Sequence, residues 1–183
     1  IVHGYVHDEN AYSLGGIAGH AGLFSTAKDL AVFSQMMLND GLYGWKRIFK
    51  TETVSEFTNK ANVVDSSSRL LGWDSPGGYA SGGIYLSDNS FGHTGFTGTS
   101  MWIDPDQGII VILLTNAVHP NRKNKSPKYY DWRQRIHSSV YESLSIIDKN
   151  PNLKLRPRWE EGERHLKFLF LFFFLLQMIF LVK

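Results

Sequence analysis

Three short segments of the sequence contain residue types that could carry out acyl transfer. Ser25 stands three residues before Lys28, which is the Ser-x-x-Lys spacing of serine acyl-enzymes. A second segment reads Ser-Asp-Asn at residues 87–89, and a third reads His-Thr-Gly at residues 93–95. A nucleophilic serine needs a general base, donors for the developing oxyanion and groups that hold the substrate. The elements around each segment decide which of them can supply these parts.

Ser25 lies where a glycine-rich loop over residues 15–22 passes into a helix. Thr26 followed by Asp29 fits a helix-capping box, and apolar residues at helical spacing come next. The pattern predicts a helix over residues 27–39. Ser25 and Thr26 therefore look like residues that start a helix.

The middle of the chain predicts an antiparallel meander. Short apolar runs between Gly, Asn and Asp residues predict strands over residues 83–86, 91–96, 99–103 and 109–115. The last run is apolar throughout, which is typical of a central strand covered on both faces.

Helices are predicted on either side of this meander. A short one is expected over residues 51–59, and a long one begins at Asp131. The long helix has an apolar seam at Trp132, Ile136, Val140, Leu144 and Ile147. Helices, then a sheet, then a closing helix indicate the α+β class.

The third segment belongs to a longer pattern, S-F-G-H-T-G-F-T-G-T-S over residues 90–100, which two strands follow. The pattern resembles the Lys/His-Thr/Ser-Gly motif of the β-lactamase and penicillin-binding-protein superfamily. Residues 6–33 and 113–122 are similar to its class C-like branch of serine hydrolases, esterases and D-Ala-D-Ala carboxypeptidases. The resemblance covers residues 2–146. It implies part of that fold: an antiparallel sheet with flanking helices and a C-terminal helix.

The resemblance also implies roles for single residues. His93 would take the place of the more usual lysine, Thr94 would hydrogen-bond substrate, and Gly95 would let the acyl group pass close to the backbone. The N–H of Phe96 would be one oxyanion donor. Because histidine is only partly charged near neutrality, the site would lack a fixed positive charge at this place. Without the surrounding match, residues 93–95 would read as ordinary strand and turn residues.

The other two segments do not fit the family's catalytic positions. Asn89 and His93 are four residues apart and span at most about 14 Å, too little to face each other across a cleft. Residues 87–89 are therefore predicted to be a turn. The segment around Ser25 resembles one that follows the nucleophile in the family. We expect the Ser-x-x-Lys and Tyr-x-Asn motifs to lie upstream of Ile1, so that this chain is a fragment and inactive alone.

Three functional hypotheses remain open. In the first, the chain is the C-terminal portion of a serine hydrolase that forms an acyl-enzyme with amide or ester substrates, such as a peptidoglycan peptide, a β-lactam or a simple ester. The second is a non-catalytic, membrane-tethered binding module with the same fold, and the third is a self-sufficient enzyme that uses Ser25. A peptidoglycan-type substrate would place the protein in the cell envelope, outside the cytoplasmic membrane.

The amino-acid composition limits the kinds of partner and chemistry to expect. A formal net charge of +2 gives no reason to expect nucleic acid, and the absence of cysteine excludes disulfides and thiolate chemistry. The N-terminal segment contains a polar cluster of His3, His7, Asp8, Glu9 and His20. It lacks a helical His-x-x-x-His pair, so we expect a loop hydrogen-bond network there, and neither a metal nor another cofactor. A basic stretch over residues 122–135 is interpreted as a solvated face.

The sequence divides into three parts. Residues 1–75 are expected to be a remnant of a helical lobe, residues 76–148 the sheet with its closing helix, and residues 149–183 a linker and a Phe-rich tail. Residues 168–182 are apolar except for Gln177, but they are short for a membrane span of roughly 20 residues. The alternatives are membrane association through this tail and an unnatural chain end.

Overall fold

The computed structural model describes residues 3–60, 67–77, 81–156 and 158, together with the backbone of residues 179–182. The helices are α1 (Glu9–Ser13), α2 (Ala27–Leu38), α3 (Thr51–Thr58), a 3-10 turn (Arg122–Asn124), α4 (Pro127–Ser143) and α5 (Ile146–Lys149). The strands are β1 (Leu42–Tyr43), β2 (Lys46–Arg47), β3 (Phe91–Thr94), β4 (Ser100–Asp104), β5 (Ile109–Leu113) and β6 (Ile179–Val182). The architecture confirms the predicted α+β class.

The main sheet is antiparallel, with strand order β3-β4-β5-β6. In β3 and β4, His93 lies opposite Met101 and Thr94 lies opposite Ser100. The predicted meander of the last three apolar runs is therefore confirmed. One further pair of hydrogen bonds extends the sheet beyond β3, because Asp74 and Gly92 exchange both of their backbone bonds, at 2.7 and 2.9 Å.

Alternating side chains of the sheet contribute to two hydrophobic clusters, one on each face. Ile103 and Ile110 pack with Met36 and Met37 of α2. Their neighbours Trp102 and Val111 face the other way and pack with Val140 and Tyr141 of α4. Every residue of β5 is buried, as its uninterrupted apolar run predicted. The sheet is thus the middle of three layers.

The strand predicted over residues 83–86 is wrong. These residues form turns, and Ile84, Tyr85 and Leu86 are buried in the α4-side cluster. Their backbone groups bond outside any strand ladder: the N–H of Ile84 donates to Ser138 Oγ at 3.1 Å, and its carbonyl accepts from the N–H of Arg156 at 2.8 Å. The apolar run correctly indicates that these residues are buried, but residues in a turn can be buried as well as residues in a strand.

The long helix begins four residues earlier than predicted, at Pro127, a residue favoured in the first helical turn. Ile136 and Val140 of its predicted apolar seam are buried, but the two ends of the seam are not. Trp132 is 39% exposed and Ile147 is 40% exposed, whereas His137 and Tyr141 are buried. Arg133 is buried as well, so the basic stretch is not uniformly a solvated face.

The Phe-rich tail is only partly described. Residues 168–178 lie outside the described residues, and residues 179–182 form β6, which pairs antiparallel with β5. Within the described part of the chain, none of the helices combines the length and the apolar character that crossing a bilayer requires. Membrane association through residues 168–182 stays a prediction.

Candidate active site

His93 is exposed and is held by hydrogen bonds at both ring nitrogens. Its Nδ1 lies 2.7 Å from the carbonyl oxygen of Thr94, and its Nε2 lies 3.0 Å from Nη1 of Arg69. A guanidinium only donates hydrogen bonds, so Nε2 is the acceptor from Arg69, and Nδ1 is the donor to the Thr94 carbonyl.

Arg69 provides the fixed positive charge that His93 does not. Its Nε lies 3.1 Å from Oδ1 of Asp74, and its side chain is 62% exposed. The backbone bridge between Arg69 and Asp74, and the bridge between Asp74 and Gly92, bring Arg69 beside β3. Sequence reasoning missed Arg69, because it lies 24 residues before His93 and no motif links the two.

Thr94 ends β3, and Gly95 begins a tight loop, residues 95–99. The N–H of Gly95 donates to the carbonyl of Thr99 at 2.8 Å. A Cβ at Gly95 would collide with Thr99 Oγ1, so a larger residue here would force the Thr99 hydroxyl to move. The side chain of Thr94 is half-buried at the end of the strand, next to this loop.

Phe96 is the first loop residue after the His-Thr-Gly segment. Among the described residues, no acceptor pairs with its backbone N–H, whereas its carbonyl accepts from Nζ of Lys125 at 2.7 Å. Its ring lies 5.0 Å from the guanidinium carbon of Arg122 and makes an edge contact with the His7 ring at 5.3 Å. The N–H is therefore a donor that the protein leaves available on an anchored residue.

Two residues approach the loop near the start of α4: Lys125, which lies just before the helix, and Tyr129, which lies in its first turn. Burial lowers the pKa of the Lys125 ammonium, and the nearby charges of Arg133 and Arg122 lower it further. The hydroxyl of Tyr129 donates to the carbonyl of Gly98 and lies 2.8 Å from Thr115 Oγ1. Neither residue was assigned a role from the sequence: both lie within the basic stretch over residues 122–135, which was interpreted as a solvated face.

Ser25 and Lys28 lie on the surface at the start of α2, and both are exposed. Thr26 is the N-cap residue: its hydroxyl accepts from the N–H of Asp29 at 3.1 Å and donates to Asp29 Oδ2 at 2.8 Å. Thr26 is therefore confirmed as the helix cap, but the reciprocal bond of a capping box, from the Thr26 N–H to the Asp29 carboxylate, is not found among the described residues. The Ser25 hydroxyl makes one weak contact, with the carbonyl of Thr26 at 3.4 Å.

The Ser-Asp-Asn segment forms the predicted turn, closed by a bond from the N–H of Ser90 to the carbonyl of Ser87 at 3.2 Å. Ser87 is buried and belongs to a network around Asp104, a fully buried carboxylate. Asp104 accepts hydrogen bonds from the hydroxyl and N–H of Ser87, from the N–H of Gln107 and from the hydroxyl of Tyr141. These bonds tie the turn and α4 to β4, which is a structural role.

The N-terminal polar cluster contains the expected loop hydrogen bonds. Asp8 caps α1 by accepting from the N–H of Ala11 at 2.8 Å, and it lies 3.0 Å from Nε2 of His20. The bond from Ala11, followed by the one with His20, lowers the pKa of the Asp8 carboxyl. Within the described ranges, no three His, Cys, Asp or Glu side chains are grouped as metal ligands.

A cleft of about 1140 Å³ opens at the other end of β3. Ser90 and Phe91 line it, but none of residues 93–96 does. The groups suited to acyl transfer lie at the His93 end, which is therefore the candidate active site.

Comparisons with known proteins give a family match over most of the chain. The Beta-lactamase family model matches residues 2–135. Proteins of Salmonella typhi and Salmonella paratyphi B, each named "Putative D-alanyl-D-alanine carboxypeptidase", are 42% identical to the chain over 120 residues. Those 120 residues are 63% of this chain and 27% of each relative, so the match spans about a quarter of the relatives' length.

Proposed function

This chain belongs to the β-lactamase family of serine hydrolases, and on that premise we propose that it supplies one wall of an active site that works through an acyl-enzyme. The wall consists of His93, Thr94 and Gly95 at the end of β3, with the N–H of Phe96 just beyond them. The observation that carries the proposal is this N–H, which has no acceptor among the described residues, whereas the carbonyls of residues 95–98 around it all accept hydrogen bonds.

The proposed chemistry assigns the Phe96 N–H to the oxyanion. When a serine attacks a carbonyl, the negative charge that develops on the carbonyl oxygen is stabilised by donors already in place, because no donor then has to reorient. A backbone N–H on a fixed loop meets this requirement. One such donor accounts for about 10²–10³ in turnover in serine hydrolases.

Arg69 and His93 are proposed to bind an anionic group of the substrate. Arg69 stays charged at all working pH values, and a guanidinium matches the geometry of a carboxylate. His93 and the Thr94 hydroxyl would complete the set as polar partners. The D-alanyl-D-alanine carboxypeptidase name of the relatives supports a peptide that ends in a free carboxylate as the substrate class. Such a peptidoglycan-type substrate would be met in the cell envelope.

The nucleophile is proposed to come from a Ser-x-x-Lys segment outside residues 1–183, so that this chain alone is inactive. Ser25 lies on the surface just before the N-cap residue of α2, and no general base is bonded to its hydroxyl among the described residues. The competing proposal is a non-catalytic, membrane-tethered binding module. It predicts that the wall binds ligands without supporting turnover.

A fusion protein tests the proposal. The part of the Salmonella typhi relative that precedes the matched segment is joined to the complete 183-residue chain, and D-alanine release from a D-Ala-D-Ala peptide is measured. We expect turnover in the fusion, none in the chain alone, and a strongly raised KM in the Arg69→Ala fusion. Lys28→Ala, which removes a distant exposed cation, is the matched control. A folded fusion that binds the peptide without releasing D-alanine would favour the binding module.

A further inference from the structure

The loop formed by residues 95–99 has to hold one peptide unit still if the N–H of Phe96 is to meet an oxyanion. That N–H and the carbonyl of Gly95 belong to the same planar unit and point in opposite directions. Whatever holds the Gly95 oxygen therefore also fixes the direction of the Phe96 N–H. The Gly95 oxygen accepts from the N–H of Gly98 at 3.0 Å, a bond within the loop itself.

Lys125, which lies outside the loop, also bonds to the loop's carbonyls. Its Nζ lies 2.7 Å from the carbonyl oxygen of Phe96 and 3.4 Å from that of Gly95. The ammonium thus stands on the carbonyl side of two successive peptide units, and the Phe96 N–H faces away from it. The 2.7 Å bond fixes the Phe96–Thr97 unit, and the 3.4 Å contact is the one made to the unit that carries the Phe96 N–H.

Tyr129 holds the far end of the loop. Its hydroxyl donates to the carbonyl of Gly98, and Thr115 Oγ1 lies 2.8 Å from the same hydroxyl. Gly98 has a φ of +112°, and a Cβ there would lie 2.7 Å from the Tyr129 hydroxyl. Gly98 and Tyr129 are therefore closely packed. A backbone bond from the N–H of Ala117 to the carbonyl of Thr97, at 2.7 Å, attaches the same end of the loop to the chain after β5.

We propose that Lys125 and Tyr129 are positioning residues that brace the loop from the start of α4 and so aim the Phe96 N–H at the oxyanion. Both act through the backbone and need not touch the substrate. The proposal rests on the proposed function for its catalytic consequence, whereas the brace itself can be measured in this chain. The partial burial of Lys125 supports it, because a half-buried ammonium requires acceptors and the two loop carbonyls provide them.

The first experiment is hydrogen exchange, resolved to single residues, on the 183-residue chain. In Lys125→Met, the amides of Gly95, Gly98 and Ala117 are expected to exchange at least about tenfold faster, because a charge-assisted hydrogen bond is lost. Amides in β4 and β5 should not change, which separates loss of the brace from general destabilisation. Lys128→Met is the matched control, since Lys128 is exposed in the same segment. Lys125→Arg should restore part of the protection, because it keeps a cationic donor.

The second experiment uses the fusion protein. Lys125→Met and Tyr129→Phe should each lower kcat about tenfold or more while KM stays within about twofold, the pattern expected when only the transition state loses a contact. Unchanged exchange in Lys125→Met would overturn the proposal, and so would faster exchange with an unchanged kcat. A fusion that is inactive with Lys125 in place would instead contradict the proposed function, and the exchange result would still decide whether the brace exists.

Discussion

His137 makes the stability of this chain depend on pH. The side chain is fully buried in α4, its Nε2 lies 2.8 Å from Ser100 Oγ, and its Nδ1 has no partner among the described residues. Burial, and then the charge of Arg133, lower the pKa of His137 from 6.5 to about 3. The folded chain therefore keeps the imidazole neutral where the unfolded chain protonates it.

The sign and the size of the effect follow from proton linkage. Below pH 6.5 the unfolded state binds a proton that the folded state does not, so the free energy of unfolding falls as pH falls, and the fall ends near the folded pKa. Each pH unit in this window costs about 1.4 kcal/mol. Between pH 7 and pH 5 the loss attributable to His137 is thus about 2 kcal/mol.

Urea unfolding followed by tryptophan fluorescence at pH 7 and pH 5 measures this loss. His137→Gln keeps a side chain that can bond to Ser100 and removes the titration, so its stability should fall by about 2 kcal/mol less than that of the unchanged chain. His3→Gln is the control, because His3 is exposed. The reasoning is refuted if His137→Gln loses as much stability between the two pH values as the unchanged chain does.

The helix cap and the sheet give three further expectations. Thr26→Ala should lower the free energy of unfolding by about 1 kcal/mol and Ser25→Ala by less than about 0.5; equal losses in urea unfolding would contradict the cap assignment. Gly92→Ala should cost about 1–3 kcal/mol, because a Cβ there collides with the indole of Trp102; an unchanged urea midpoint would count against this packing. A chain that ends at residue 178 lacks β6 and should self-associate through the free edge of β5, as light scattering can show; a monomer would contradict it.

The parts of the fold that the sequence predicted well depend on local signals. The helix Ala27–Leu38 was predicted to within one residue, because Thr26 caps its start and an Asn-Asp-Gly turn follows its end. β4 and β5 were predicted from short apolar runs that Gly, Asn and Asp residues separate, and the run of β5 is apolar throughout. Each of these signals involves only neighbouring residues, so it predicts the same helix or strand in almost any tertiary context.

What the sequence could not predict depends on distant contacts. Residues 83–86 have the apolar composition of a strand, yet their hydrogen-bond partners come from α4 and from Arg156, so they form buried turns. Arg69 reaches His93 only because Asp74 pairs with the backbone of β3. Lys125 reaches Phe96 across 29 residues, and no spacing rule links the two.

The site of acylation is the most direct test of the account. The fusion protein is treated with a fluorescent penicillin or an ester probe, and the modified residue is identified by peptide mass spectrometry. We expect the acyl group on a serine of the preceding segment, with the yield reduced by Lys125→Met and unaffected by Ser25→Ala. An acyl group on Ser25, in the fusion or in the 183-residue chain alone, would contradict the claim that this chain contributes the oxyanion wall and not the nucleophile.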